Sequence, residues 1–132
     1  MNKLAIFDCD GTLVDSGANI FSALSDAFGE HGIDAPPPEV SRRVIGLSLV
    51  EAIATLVPDE EPGRHVVLAE SYKRHFQRAR AEGRVEEPLF PGIAELLDAL
   101  EADNWLLAVA TGKSDRGLAL CLDCHGYSKR FL

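Results

Sequence analysis

The amino-acid pattern predicts an α/β fold with a parallel β-sheet and a helical segment inserted after the first strand. Two short, uniformly apolar runs, residues 4–7 and 105–110, have the length and composition of buried parallel strands. Residues 16–85 lie between these runs, show helical periodicity and contain no strand candidate. The predicted organisation is a sheet-based core of residues 1–15 and 86–132, with residues 16–85 as the helical insert.

The helices of the insert are predicted from apolar residues spaced three and four apart. The first helix weakens at Gly29, and a short second helix covers residues 40–45. Ser48 and Glu51 form a capping-box pattern that opens a third helix. A fourth amphipathic helix spans residues 66–83. The insert is therefore expected to be entirely helical.

The core pattern resumes with a helix that starts at Pro91-Gly92 and precedes the second apolar strand. A last helix is predicted from Asp115 to His125. Ser114 stands immediately before it and is expected to cap it, beside free helix amides that favour anions. Strand, insert, helix, strand and helix together indicate an α/β plan.

The composition is that of an ordinary globular protein, and the 132 residues suit one domain or one domain with a small insert. The net charge of −8 argues against nucleic acid and anionic membranes as main partners. No apolar run approaches the roughly 20 residues of a membrane span. The N-terminus lacks a signal-peptide layout, and three cysteines suit a reducing compartment. A cytoplasmic location is expected.

The acidic turn after the first strand is the strongest functional signal. Asp8 and Asp10 are two residues apart at a predicted strand end, and Gly11 follows them. Turn chemistry alone accounts for one aspartate and the glycine. Two carboxylates so close together are costly unless a cation or a shared proton neutralises them. Mg²⁺, a hard cation that prefers oxygen ligands, would serve.

Residues 8–16, DCDGTLVDS, resemble the first motif of the haloacid dehalogenase-like phosphohydrolases, DxDGTLxDS, at every fixed position. The resemblance implies a Rossmann-like sheet core, here partial, with an inserted α-helical cap. It also implies that Asp8 attacks a phosphate monoester and becomes an aspartyl-phosphate, while Asp10 acts as general acid and base. Asp8 and the backbone carbonyl of Asp10 would hold Mg²⁺. Gly11 gives the chain room to leave the strand.

Thr111 follows the second strand as Asp8 follows the first, so both are expected at one edge of the sheet. The segment ATGKS around Thr111 and Gly112 resembles the family's second motif, in which a hydroxyl group binds the phosphoryl group. The alternative is a plain capped helix after a strand. A nucleotide P-loop is excluded, because Leu107 stands where that motif requires glycine.

The insert resembles the small helical cap of the phosphoglycolate phosphatase-like branch, in which a cap loop closes over the substrate. Arg42 and Arg43 lie in the matching stretch, and Arg43 is the candidate for binding a substrate carboxylate or second phosphate. The alternative is a solvated arginine on a helix. The expected partner is a small phosphorylated metabolite.

The family pattern continues beyond the second motif with a lysine and an acidic pair, and these motifs are absent from the 132 residues. The sequence is therefore expected to be a fragment, or to have its sheet completed by another chain. The edge at Leu4 to Phe7 would be open and prone to self-association. Three alternatives remain: a phosphatase, a phosphosugar mutase, or a non-catalytic fragment that binds only phosphate or a partner.

One other pattern carries possible chemistry. Cys121, Cys124 and His125 match the C-x-x-C-H haem-attachment pattern, but that chemistry requires export. Core packing or a chance metal clip explains them as well. His31, His65 and His75 have no partner spacing that suggests a site, so all three are expected at the surface.

Overall fold

A computed structural model describes residues 1–132, the whole chain. It divides into two compact units. The core unit is Met1–Asp15 with Glu87–Leu132, and the helical unit is Ser16–Glu86. In chain order, the elements are β1 (Lys3–Phe7), α1 (Gly17–Glu30), α2 (Pro38–Arg42), α3 (Leu49–Leu56), α4 (Pro62–Ala81), α5 (Ile93–Ala102), β2 (Trp105–Val109) and α6 (Asp115–Cys124).

The two strands of the core unit form one parallel pair. Lys3 lies opposite Trp105 at one end and Phe7 lies opposite Val109 at the other. The amide of Ala110 continues the pairing by donating to the Phe7 carbonyl at 2.8 Å. Parallel strands need a long crossover connection, which here contains helices. The predicted α/β plan is therefore confirmed.

The first residues of the two strands are also tied through their side chains. The Lys3 ammonium lies 5.5 Å from the centroid of the Trp105 ring and 2.9 Å from Asp103 Oδ2. The Trp105 indole N–H donates to the same carboxylate at 3.1 Å. Hydrogen bonds from Lys3 and then from Trp105 lower the pKa of Asp103. This cluster links the two strands where they begin, at the end of the sheet opposite the acidic turn.

The two-stranded sheet is covered on one face only, so the prediction of fully buried strands is wrong. The inward side chains of both strands join one core cluster, which includes Leu97 of α5 and Cys121 of α6. Since both helices contribute to this cluster, they cover the same face. On the opposite face, Leu4 is 48% exposed and Ile6 is 61% exposed. Because α5 and α6 both lie on one face of the sheet, the other face stays exposed.

The helical unit has its own core and contains only helices and a single isolated bridge, Ile45 to Leu47. Helix α1 contributes Leu24 and Phe28, and these pack with Ile53 of α3 and Leu68 of α4. The spacing of these buried residues follows the predicted helical periodicity.

The third and fourth helices also differ from prediction in detail. Ser48 is the N-cap residue of α3, as predicted, but its side chain makes no capping hydrogen bond. His65 on α4 is only 8% exposed, so its predicted surface position is wrong. Its Nε2 donates to the Val57 carbonyl at 2.9 Å. Carbonyls at a helix end lack intrahelical partners, and this one gains a side-chain donor. None of the helices, including the 20-residue α4, has the length and apolarity needed to cross a membrane.

Candidate active site

The acidic turn is organised by one backbone carbonyl. The Cys9 carbonyl accepts hydrogen bonds from the amides of Thr12, Leu13 and Val14 at 2.9 to 3.2 Å. Gly11 adopts φ +79°, a conformation that residues with a Cβ rarely adopt, and its amide donates to the Val14 carbonyl at 2.9 Å. The turn therefore holds the backbone on both sides of Asp10.

The Asp8 carboxylate is oriented by its own turn. The amide of Cys9 donates to Asp8 Oδ1 at 2.7 Å. A hydrogen bond from a backbone amide restricts the rotation of the side chain. The hydrogen bond engages one of the two carboxylate oxygens, and Asp8 itself is half-buried. This is the arrangement that a positioned nucleophile requires.

Thr111 and Gly112 lie just beyond the end of β2. Because Phe7 and Val109 are opposite each other in register, the segments after them leave the sheet at the same edge. The Thr111 hydroxyl oxygen accepts a hydrogen bond from the Lys113 amide at 3.0 Å. Asp8, Asp10 and Gly11 thus share the edge with Thr111 and Gly112, all within the core unit.

Lys113 reaches this edge from the β2 side and contacts two carboxylates. Its Nζ lies 3.2 Å from Asp10 Oδ1 and 2.6 Å from Glu87 Oε2. The exposed side-chain fractions are 9% for Lys113, 18% for Asp10 and 6% for Glu87. Burial lowers the pKa of Lys113, but the hydrogen bond to Glu87 and the charges of Asp10 and Glu87 outweigh it and raise the net pKa above the usual lysine range. Lys113 is therefore an ammonium ion.

Sequence reasoning missed this ion-pair network. The sequence pattern assigns a role neither to Lys113, which lies in the segment ATGKS, nor to Glu87. The available signal for Lys113 was its position two residues after Thr111, beyond a strand end that is predicted to carry a site. Glu87 has no comparable signal, because 26 positions separate it from Lys113 in the chain.

The helix after Thr111 has a side-chain cap, as predicted. Ser114 Oγ accepts the Gly117 amide at 3.1 Å. The last predicted helical residue, His125, lies just past the helix, and its Nε2 donates to the Glu87 backbone carbonyl at 2.6 Å. This bond holds the Glu87 backbone in the core unit.

The cysteine-histidine pattern does not assemble a metal or haem site in the structure. Cys121 is buried against Cys9, whereas Cys124 is exposed and His125 is engaged by Glu87. The hydrogen bond between the Cys9 and Cys121 thiols, and then burial, raise the pKa of Cys9. Cys9 is accordingly a neutral packing residue between the two aspartates.

The acidic turn fits Mg²⁺ in the chemistry of its donors but supplies few of them. Asp8 and Asp10 offer carboxylate oxygens, the ligand type that Mg²⁺ prefers. No group of three or more His, Cys, Asp or Glu side chains is arranged to hold a metal ion. Mg²⁺ commonly retains several waters and binds through one or two carboxylates together with substrate phosphate. The residues present are compatible with that mode.

Arg43 lies in the other unit. It is exposed and follows the last residue of α2, and its amide donates to the Val40 carbonyl at 3.1 Å. Five of the six predicted site residues therefore belong to the core unit, and Arg43 belongs to the helical unit.

Comparison with known proteins identifies similar chains. The family model described as "Haloacid dehalogenase-like hydrolase" matches residues 5–131. The phosphoglycolate phosphatase of Agrobacterium fabrum is 32% identical over 134 residues, which cover 99% of this chain and 57% of the relative. The tyrosine-protein kinase PtkA of Mycobacterium tuberculosis is 30% identical, over 98% of this chain and 42% of the relative.

Solved structures share the fold. A haloacid dehalogenase-like family hydrolase from Streptococcus pneumoniae superposes with a TM-score of 0.83 and 27% identity. The match covers 98% of this chain and 59% of the solved one. The chain therefore spans about half the length of the proteins that it resembles.

Proposed function

The chain belongs to the haloacid dehalogenase-like hydrolases, and on this premise we propose that it is a Mg²⁺-dependent phosphohydrolase of small phosphate monoesters. Phosphoglycolate-like substrates are the proposed class. The observation that carries the proposal is the pair of differently held carboxylates, Asp8 and Asp10, at the same sheet edge as Thr111. The similarity to a phosphoglycolate phosphatase supports the substrate class.

The first chemical step belongs to Asp8. With Oδ1 held by the Cys9 amide, Oδ2 is the proposed attacking atom on phosphorus. The bond between phosphorus and the ester oxygen breaks as the bond to Oδ2 forms, which leaves an aspartyl-phosphate. Asp10 gives its proton to the departing alcohol.

The second step reverses the role of Asp10. Its carboxylate takes a proton from a water molecule, whose oxygen attacks the phosphorus and releases inorganic phosphate and the free Asp8 carboxylate. Thr111 Oγ1 accepts the Lys113 amide, so its hydroxyl proton is available for a phosphoryl oxygen. Gly112 places no side chain in the way of the phosphate.

Mg²⁺ would be held by Asp8 and the backbone carbonyl of Asp10, and it would supply positive charge against the phosphoryl oxygens. Arg43, which is exposed in the helical unit, is proposed to bind a second anionic group of the substrate. The three free cysteines support a cytoplasmic, reducing location.

The test is p-nitrophenyl phosphate hydrolysis by this chain, with and without Mg²⁺. We expect Mg²⁺-dependent release that falls to background in Asp8→Asn, because the amide is not a nucleophile. The matched control is Asp59→Asn, an exposed aspartate of the helical unit, which should keep full activity. Undiminished turnover in Asp8→Asn would contradict the mechanism.

The same assay separates the alternatives. A hydrolase releases equal amounts of p-nitrophenol and inorganic phosphate, whereas a mutase or kinase releases less phosphate because the group passes to another acceptor. If the chain turns nothing over but binds inorganic phosphate by calorimetry, the non-catalytic phosphate-binding alternative replaces the proposal.

A further inference from the structure

The Lys113 side chain is a buried cation that the proposed chemistry leaves without a role. It is 9% exposed and lies at the sheet edge that carries Asp8 and Asp10. Removing an ammonium group from water is costly unless anions compensate it closely. Glu87 alone, at 2.6 Å, supplies a close anion. The additional contact with Asp10 is therefore the feature that requires an explanation.

The two contacts of the ammonium differ in length and burial. Glu87 is the closer and more buried partner, at 2.6 Å and 6% exposed, whereas Asp10 is at 3.2 Å and 18% exposed. Glu87 is also held through its backbone by His125. The geometry is that of an ammonium anchored on Glu87 that reaches forward to Asp10.

The backbone of Lys113 is fixed as well. Its amide donates to the Thr111 hydroxyl at 3.0 Å, and the next residue, Ser114, caps α6. Lys113 therefore contacts both the Thr111 hydroxyl after β2 and the Asp10 carboxylate after β1. One residue links two predicted site residues that are 101 positions apart, Asp10 and Thr111.

We propose that Lys113 is a positioning residue for Asp10: its ammonium, anchored by Glu87, holds the Asp10 carboxyl group in the orientation that exchanges a proton with the ester oxygen. The inference rests on the proposed function, because it assigns Lys113 a part in that reaction. Lys113 acts through Asp10 and does not itself accept or give the proton.

The test compares two substrates, p-nitrophenyl phosphate and glycerol 2-phosphate. Only the second has a leaving alcohol that depends strongly on a proton from Asp10. Lys113→Met should lower kcat on glycerol 2-phosphate about 10- to 100-fold, and on p-nitrophenyl phosphate by less than about threefold, with KM nearly unchanged. Lys113→Arg, which keeps the charge, should recover part of the lost rate.

A double-mutant cycle with Asp10→Asn sharpens the test. In that background Lys113→Met should cost less than about threefold on glycerol 2-phosphate, because the group it positions has already been changed. Lys3→Met is the matched control, since it also removes a lysine–aspartate pair of the core unit but lies at the other end of the strands. It should not discriminate between the two substrates.

Equal losses on both substrates, or an undiminished loss in the Asp10→Asn background, would overturn the inference. If the unchanged chain turns neither substrate over, the proposed function fails, and unfolding temperatures then decide whether the contact exists. The Tm shifts of Asp10→Asn and Lys113→Met should be non-additive if the two groups interact. Additive shifts would overturn the positioning role independently of activity.

Discussion

At the residue scale, the acidic turn gives its two carboxylates different surroundings. Asp8 receives a backbone amide at 2.7 Å, and Asp10 receives a buried ammonium at 3.2 Å. Paired acidic groups in different environments are suited to different roles in one reaction. The tight turn with Gly11 at φ +79° fixes the backbone on both sides of Asp10. This arrangement supports one carboxylate as nucleophile and the other as proton carrier.

The proposed role of Asp10 as general acid leads to a prediction. Asp10→Asn keeps the size of the side chain but cannot give up or accept the proton. We expect a loss of about 10²- to 10⁴-fold in kcat on glycerol 2-phosphate. The loss on p-nitrophenyl phosphate should be smaller, since its leaving group departs without help. Steady-state kinetics on both esters measures this. A loss of equal size on the two substrates would refute general acid catalysis by Asp10.

Local sequence predicted the acidic turn but not its electrostatic setting. Asp8, Asp10 and Gly11 are consecutive or nearly so, and turn chemistry and motif resemblance both act over such short distances. The pairing of Lys113 with Glu87 depends on how the chain returns to the core after the helical unit. A single sequence contains no local signal for that return.

At the element scale, α1 and α4 are tied by a cluster around Glu30. Its carboxylate accepts a hydrogen bond from Ser71 and lies 2.9 Å from His75 Nε2 and 3.3 Å from Arg74 Nη2. The bond from Ser71, and then that from His75, lower the pKa of Glu30 to about 2. The cluster therefore joins the last residue of α1 to the middle of α4.

The lowered pKa predicts how stability depends on pH. An acid whose pKa is lower in the folded state stabilises that state above its unfolded pKa, and the contribution is lost as pH falls. Glu30→Gln should therefore lower Tm at pH 7, and the gap to the unchanged chain should close as pH falls from 4.5 towards about 2. Thermal unfolding followed by circular dichroism measures this.

The matched control for Glu30 is Glu70→Gln. Glu70 pairs with Lys73 at 3.2 Å on the exposed side of α4, where ion pairs contribute little. It should change Tm by much less than Glu30→Gln at pH 7. A gap for Glu30→Gln that stays constant down to pH 2 would refute the ionic origin of the stabilisation.

Helix positions were predictable because periodicity is a local property. The spacing of Leu24 and Phe28 predicts the buried face of α1, and both are in its core. Capping was predictable at Ser114 but not at Ser48, since the capping hydrogen bond depends on the rotamer of the side chain. His65 is buried because its side chain bonds to the Val57 carbonyl at the end of α3. This contact joins two helices, so local periodicity does not predict it.

At the scale of the whole molecule, the uncovered sheet face is an exposed apolar surface of the core unit. Leu4 and Ile6 of β1 and Leu106 of β2 are all exposed, and Leu4 and Leu106 are paired in register. Contiguous exposed apolar side chains beside an open strand edge favour association. The burial prediction failed here because a uniformly apolar strand indicates cover on both faces, and composition alone does not identify what covers them.

We therefore predict concentration-dependent self-association through this face. Ile6→Thr keeps the β-branched shape but removes much of the apolar area, so it should shift the population towards monomer. Sedimentation velocity over a concentration series measures the shift. Val66→Thr is the control, because Val66 is an exposed valine on α4 in the other unit. Identical association in the Ile6→Thr variant and the unchanged chain would rule out this face.

The cluster at the start of the strands also makes the molecule its own optical probe. The sequence contains one tryptophan, Trp105, whose indole contacts both the Lys3 ammonium and the Asp103 carboxylate. Of these two groups, Lys3 belongs to β1, so its ammonium meets the indole only when β1 and β2 are side by side. The emission maximum and intensity of Trp105 fluorescence should therefore report the pairing of the two strands. In a rapid-mixing experiment, the fluorescence would time sheet assembly while far-ultraviolet circular dichroism times the helices.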